Sequence, residues 1–136
     1  MALHLKTYVA ATLVFLAMDF IWLGILMADF YKRHLGALAR RSGDALNPIW
    51  WSAGVVYLLI PAAIVLFVLP KVSSGSYAVA VAWGALFGVV LYGVYDFTNY
   101  ATLEGWTLKL AVTDTVWGGV ICGVTSAVAL FAWRLR

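Results

Sequence analysis

Three aspartates lie inside long apolar stretches of the sequence: Asp19, Asp96 and Asp114. An aspartate near the centre of a membrane-spanning helix costs about 2.5 to 3.5 kcal/mol on insertion scales, and such a residue normally faces a bundle interior or a wet cavity. Carboxylates bind cations, or act as general acid and base when their surroundings hold them in different protonation states. The alternative is structural, because each carboxylate could instead bond a polar neighbour and fix helix packing.

Each aspartate has aromatic or polar neighbours at helical spacing. Tyr92, Tyr95, Asp96 and Asn99 follow an i, i+3, i+4, i+7 pattern, which predicts that they share one helix face. An Asp-x-x-Trp-x-Gly pattern begins at Asp19 and recurs at Asp114, as a coincidence in a chain rich in Trp and Gly or as a weak inverted repeat like those of transporters. We leave catalytic residues unassigned. The candidate ligand-binding residues are Asp19, Trp22, Tyr92, Tyr95, Asp96, Asn99, Asp114 and Trp117.

Composition decides which solvent surrounds these residues. The chain has 136 residues, of which 65% are hydrophobic and 11% charged, whereas soluble domains carry about 25% charged residues. This predicts a protein surrounded by lipid, and a net charge of +3 is too weakly basic for a nucleic-acid partner. With one cysteine, Cys122, and two separated histidines, His4 and His34, we expect no metal site and no cofactor.

Four apolar stretches are long enough to cross a bilayer, which takes about 20 residues. They predict a single all-α domain over 1–136. The first stretch is too long, and ends in residues too bulky, for a cleaved signal peptide. The second and third connections are short, which favours an antiparallel bundle. The helices are expected at approximately 7–28, 48–70, 76–103 and 110–133.

The first connection, residues 29–44, is longer and amphipathic. It predicts either an interfacial helix or an extension of the first helix beyond the bilayer. Lys and Arg number four on one membrane side and five on the other, so the positive-inside rule leaves the orientation open. Insertion in both orientations, as an antiparallel homodimer, is a further alternative. The glycine pairs Gly84/Gly88 and Gly119/Gly123 favour close helix packing within one chain or between subunits.

The three aspartates are expected at similar depths. Counted along the predicted helices, they lie ~13, ~10 and ~6 Å from the same membrane face, at 1.5 Å per residue. The positions therefore predict one acidic site. Three ionised carboxylates in such a site would repel each other, so we expect a proton, a cation or nearby donors to offset that repulsion.

Several runs of the sequence are similar to a known family. They are Asp19-Phe-Ile-Trp-Leu-Gly, Phe30-Tyr, Tyr95-Asp-Phe-Thr-Asn-Tyr-Ala-Thr-Leu, Gly105-Trp and Asp114-Thr-Val-Trp-Gly. In this order and spacing they resemble small bacterial inner-membrane proteins catalogued as predicted membrane proteins with a domain of unknown function. The resemblance implies a multi-pass protein of the bacterial inner membrane, and it supplies no activity or catalytic residue.

Three functions are compatible with these features. The leading hypothesis is a membrane protein that binds or transports a cation or small amphiphile at an intramembrane acidic site. The second is a membrane-embedded acid/base enzyme acting on a lipid-soluble substrate, and the third is an accessory subunit of a larger membrane complex. The expected partners are the lipid bilayer, a lipophilic or cationic small molecule and a second copy of the chain, with no nucleic acid.

Overall fold

A computed structural model describes residues 2–43, 45–72 and 75–135. Met1, Asp44, Ser73, Ser74 and Arg136 lie outside the described residues. The predictions for the first connection at Asp44 and for the second connection at residues 73–74 fall outside them too. Arg136, which was counted for the membrane orientation, is also outside. The described elements are α1 (Ala2–Ile21) with a π-helical turn (Trp22–Leu26), α2 (Ala28–Leu35) with a 3-10 turn (Gly36–Leu38), β1 (Arg41–Ser42), β2 (Ala45–Leu46), α3 (Trp50–Ala63) with a π-helical segment (Ile64–Val68) and a 3-10 turn (Leu69–Lys71), α4 (Tyr77–Thr102) and α5 (Leu108–Arg134).

The described residues contain four helical segments long and apolar enough to cross a bilayer, which confirms the predicted all-α membrane fold. α1 and α5 are antiparallel, since Lys6 meets Leu135 and Asp19 meets Trp117. α4 and α5 are antiparallel as well, since Gly84 faces Cys122 and Gly88 faces Gly118. The most buried of the four is α5, which packs between α1 and α4. The spans are His4–Leu26, Trp50–Lys71, Tyr77–Thr102 and Leu108–Arg134.

Glycines hold α4 and α5 against each other within one chain. A methyl group added at Gly88 would overlap the carbonyl oxygen of Gly118, and one added at Gly84 would lie 2.6 Å from the carbonyl oxygen of Cys122. A methyl at Gly118 would overlap the ring of Tyr92. The backbones therefore approach more closely than any larger residue permits. The sequence left open whether Gly84 and Gly88 pack within one chain or between subunits. In the structure they pack against α5 of the same chain.

The first connection begins with a separate short helix rather than a continuation of α1. The wide turn at Trp22–Leu26 ends at Met27, and α2 follows it until Gly36 (φ 47°), a backbone angle that glycine adopts without strain. α2 lies against the start of α5, where the Thr107 hydroxyl accepts the backbone N–H of Leu110 and is 3.0 Å from His34 Nδ1. The first connection is therefore attached to the bundle through the N-terminal end of α5.

An apolar cluster fills the space beneath α2. Tyr31, Trp106, Leu110 and Ala111 are buried there, and Trp22 is among the partly buried residues packed against them. Next to this cluster the chain forms a two-residue antiparallel pair in which Arg41 lies opposite Leu46. Arg40, which precedes the pair, lies near the end of the first span and the start of α3, because it lines the same cavity as Gly24 and Trp50.

Candidate functional site

Asp19 joins three helices through neutral hydrogen-bond donors. Its Oδ2 accepts the hydroxyl of Tyr57 on α3 at 2.8 Å, and its Oδ1 accepts the indole N–H of Trp117 on α5 at 3.1 Å. The side chain is only 7% exposed. A carboxylate offers about four lone-pair positions, so two acceptor positions remain after these bonds. Asp19 can therefore accept further hydrogen bonds from a ligand.

Asp114 is bonded to the first connection instead. The Tyr31 hydroxyl donates to Asp114 Oδ1 and accepts the indole N–H of Trp22 at 2.9 Å. Burial, followed by the negative charge of Asp114, raises the pKa of Tyr31 above its ordinary value of 10.0. Tyr31 therefore keeps its proton at neutral pH and remains a donor to the carboxylate.

The two Asp-x-x-Trp motifs cross between the networks. Trp117, from the motif of Asp114, donates to Asp19, while Trp22, from the motif of Asp19, donates to the tyrosine that bonds Asp114. The two indoles are stacked, with ring centroids 4.3 Å apart and planes 4° from parallel. The motifs thus form one connected cluster at the contact between α1 and α5.

Asp96 lies outside these hydrogen bonds. It is 0% exposed, and neither of its carboxylate oxygens has a hydrogen-bond partner among the described residues. The buried indole N–H of Trp106 and the hydroxyl of Thr115 are also without partners in the same part of the chain. A bonded neighbour usually offsets the cost of burying such groups. Asp96 therefore differs from Asp19 and Asp114 in having no hydrogen-bond partner among the described residues.

The remaining candidates on α4 divide between two surroundings. Tyr92 packs against Gly118 within the α4–α5 contact. Tyr95 is 58% exposed and meets the edge of the Trp106 ring, with centroids 5.8 Å apart, and Asn99 is partly buried. The α4 stripe that helical spacing predicts thus extends from inside the bundle to its surface.

The structure brings five of the eight candidate residues together, either in direct contact or through a shared neighbour. Asp19, Trp22, Asp114 and Trp117 are connected through hydrogen bonds and ring stacking, and Tyr92 borders them at Gly118, the residue after Trp117.

Among residues 2–43, 45–72 and 75–135, no three His, Cys, Asp or Glu side chains form a group that could hold a metal ion.

A cavity opens beside Asp19 between α1 and α3. Its volume is about 730 Å³, within the range of about 300 to 1,000 Å³ that is typical of small-molecule sites. The wall is mostly apolar, and Asp19, Tyr57 and Arg40 contribute its charged or phenolic groups. The apolar lining includes Leu16, Phe20, Leu23, Ile49, Trp50 and Ala53.

Four residues of this region escaped the sequence analysis as site residues. Tyr57 is a lone phenol in an apolar helix, and Tyr31 and Arg40 belong to a connection that was expected on the membrane surface. Trp106 lies in the short connection between α4 and α5. A polar group isolated in the apolar stretch of α3 was the one available signal, and it identifies Tyr57 alone.

Comparison with known proteins gives one match. A family model described as "Predicted membrane protein (DUF2177)" matches residues 4–131, which confirms the resemblance seen in the sequence motifs. No curated protein and no solved structure matches the chain.

Proposed function

Because the chain belongs to this family of membrane proteins, whose description assigns no activity, we propose its function from geometry: it binds a small amphiphilic cation in the cavity between α1 and α3. The observation that carries the proposal is the presence of the Asp19 carboxylate in the wall of a mostly apolar cavity of about 730 Å³. The apolar lining suits a hydrocarbon chain, and the carboxylate suits an ammonium group.

Electrostatics favours a cation at this position. Both donors to Asp19, Tyr57 and Trp117, are neutral side chains. An ionised carboxylate away from water is expensive unless an opposite charge and hydrogen bonds compensate it. An ammonium group in the cavity would supply both while the two protein donors hold the carboxylate in position.

Location and assembly extend the proposal. We place the protein in the bacterial inner membrane, because the motifs around the three aspartates resemble proteins of that membrane. Transport of the ligand would require a path to both membrane faces. Because four helices offer little room for one, a second copy of the chain would be required to complete it.

Binding of dodecylammonium tests the proposed function. The purified protein in dodecyl maltoside is titrated with dodecylammonium, and native mass spectrometry reports the fraction of protein carrying one ligand. Asp19→Asn removes the charge of the proposed site and should weaken binding about tenfold, since a hydrogen bond to a charged group contributes about 1.5 to 3 kcal/mol. Asp29→Asn is the matched control, because it removes one exposed carboxylate that does not line the cavity.

A second variant protects the experiment against misfolding. Ala53→Trp places a large side chain in the cavity while Asp19 stays intact, and it should abolish binding. Unfolding temperatures of all variants show whether the fold survives. Equal affinity of wild type, Asp19→Asn and Ala53→Trp for dodecylammonium would exclude the cavity as the binding site.

One contact favours an enzyme as the second candidate function. The Tyr57 hydroxyl donates to Asp19 at 2.8 Å and both side chains line the cavity, an arrangement able to pass a proton to or from a bound lipid-soluble molecule. Untargeted mass spectrometry of lipid and quinone extracts tests it, using cells without the gene and cells complemented with wild type or Asp19→Asn. A lipid class that changes mass on deletion and returns only with wild type would establish the enzyme; identical extracts would exclude it.

A further inference from the structure

The cavity beside Asp19 carries charges of opposite sign at two levels. Asp19 lies within the span His4–Leu26, and Arg40 belongs to the connection that follows α2, outside that span. Both line the same cavity. We propose, building on the proposed function, that the ligand is a lipid with a zwitterionic phosphoamine headgroup, its ammonium at Asp19 and its phosphate at Arg40.

Among the three arginines of the first connection, Arg40 is the one that lines the cavity. Arg41 turns toward α2, where its Nη2 donates to the carbonyl oxygen of Lys32, and Arg33 donates through Nε to the carbonyl oxygen of Asp29 at 3.2 Å. The backbone at Arg40 is held in place, because its carbonyl oxygen accepts the N–H of Asn47 at 2.9 Å. A fixed backbone thus carries an exposed guanidinium at the edge of the cavity.

The chemistry of the two groups matches such a headgroup. A guanidinium presents a planar fork of donors that pairs with two phosphate oxygens. Asp19 retains acceptor positions for the N–H donors of an ammonium. A purely cationic amphiphile would leave Arg40 without an anion, and a purely anionic one would leave Asp19 without a cation. The zwitterion compensates both charges.

Depth and exposure agree with a lipid as the source of this headgroup. Asp19 is seven residues before the end of its span at Leu26, which corresponds to about 10 Å along the helix axis. The ammonium would therefore lie deeper in the membrane than the phosphate, and the hydrocarbon chain, which is attached to the phosphate, would turn back along the cavity wall into the lipid. Phe20 and Trp50 line the cavity and are 71% and 73% exposed. The cavity is thus bordered by lipid-facing side chains, between which hydrocarbon chains can leave.

Probes with one common chain separate the headgroup charges. The protein in dodecyl maltoside is titrated with dodecylammonium, dodecylphosphoethanolamine and dodecyl phosphate, and native mass spectrometry measures each affinity. In wild type, dodecylphosphoethanolamine should bind about fivefold more tightly than dodecylammonium, the gain expected from one solvent-accessible ion pair. Arg40→Gln should remove this gain, and Arg33→Gln, which changes an exposed arginine outside the cavity, should retain it.

The outcomes distinguish this inference from the proposed function on which it depends. If dodecylammonium binds at Asp19 but dodecylphosphoethanolamine binds no better, or keeps its advantage in Arg40→Gln, the headgroup assignment is overturned and cation binding stands. If neither ammonium probe binds, the proposed function fails as well. Free phosphoethanolamine is added as a competitor. Displacement at equal concentration would assign the site to a soluble phosphate compound and overturn the lipid.

Discussion

Replacing Gly88 by alanine is expected to destabilise the protein by about 3 kcal/mol, the upper part of the usual range for overpacking. The added methyl would overlap the backbone carbonyl oxygen of Gly118, and Cys122 Cβ would be its next side-chain neighbour, at 2.8 Å. Backbone atoms in a helix cannot rotate out of the way as a flexible side chain does. α4 and α5 must therefore move apart at Gly88 and Gly118, where their backbones are closest.

Two other glycines supply graded controls. Gly119→Ala would place a methyl 3.0 Å from Cγ2 of Val89, the end of a side chain that can shift, so a smaller loss is expected. Gly54→Ala in α3 meets no atom within 4 Å and should be neutral or slightly stabilising, since alanine has the higher helix propensity by about 1 kcal/mol.

Reversible unfolding checks this order. Wild type and the three variants in dodecyl maltoside are titrated with sodium dodecyl sulfate, and tryptophan fluorescence and circular dichroism follow the transition. The midpoint should fall most for Gly88→Ala, less for Gly119→Ala and not at all for Gly54→Ala. A Gly88→Ala midpoint equal to that of Gly54→Ala would contradict the close α4–α5 contact.

The length of the apolar stretches predicts the four membrane-spanning helices. It does not predict which helix faces pack together, as the glycines of α4 and α5 show. Four uninterrupted stretches predict four helices, because a bilayer leaves few alternatives to a helix. Gly84 and Gly88 also predict a close approach. Their partner, however, depends on which face of α5 turns toward them, and that orientation results from contacts distant in the sequence, such as Gly88 with Gly118.

The wide turn at Trp22–Leu26 is a second feature that periodicity does not predict. Its Met27 N–H bonds to Trp22 O at 2.8 Å, so the chain takes an extra residue in one turn before α2 begins. Such turns are frequent at functional sites. Here the turn begins at the residue whose indole stacks on Trp117 and donates to Tyr31.

The residues of the candidate site were partly predictable from the sequence, but their contacts with each other were not. Asp19, Asp96 and Asp114 are conspicuous because each is costly in lipid, and the tryptophans three residues after Asp19 and Asp114 marked the other members of the cluster. Two features depend on tertiary contacts: the crossed pairing of Trp22 and Trp117, and the lack of a hydrogen-bond partner for Asp96 among the described residues. Tyr57 and Arg40 also line the cavity. They lie on α3 and in the first connection, and neither element contributes an acidic residue to the described lining that would have marked them in the sequence.

The hydroxyl of Tyr31 is expected to control how firmly α2 is attached to the bundle. Tyr31→Phe removes the donor to Asp114 and the acceptor of the Trp22 indole while the ring remains in its apolar cluster. Leaving buried polar groups without partners costs about 1 to 3 kcal/mol, and more for a charged group. A loss of about 2 kcal/mol corresponds to about thirtyfold faster hydrogen exchange at the amides of α2, if exchange proceeds by local opening.

Hydrogen exchange followed by mass spectrometry measures this effect in peptides covering α2. Tyr100→Phe is the matched control, because its side chain is exposed on the bundle surface. In wild type the protection of α2 should persist through neutral pH and decrease only above about pH 10. The raised pKa of folded Tyr31 means that its contribution is complete below the ordinary pKa of 10.0 and is lost as the pH rises from there toward the folded value. Equal exchange of α2 in Tyr31→Phe and Tyr100→Phe would show instead that the apolar cluster alone holds this helix, and that the bond to Asp114 contributes nothing to its attachment.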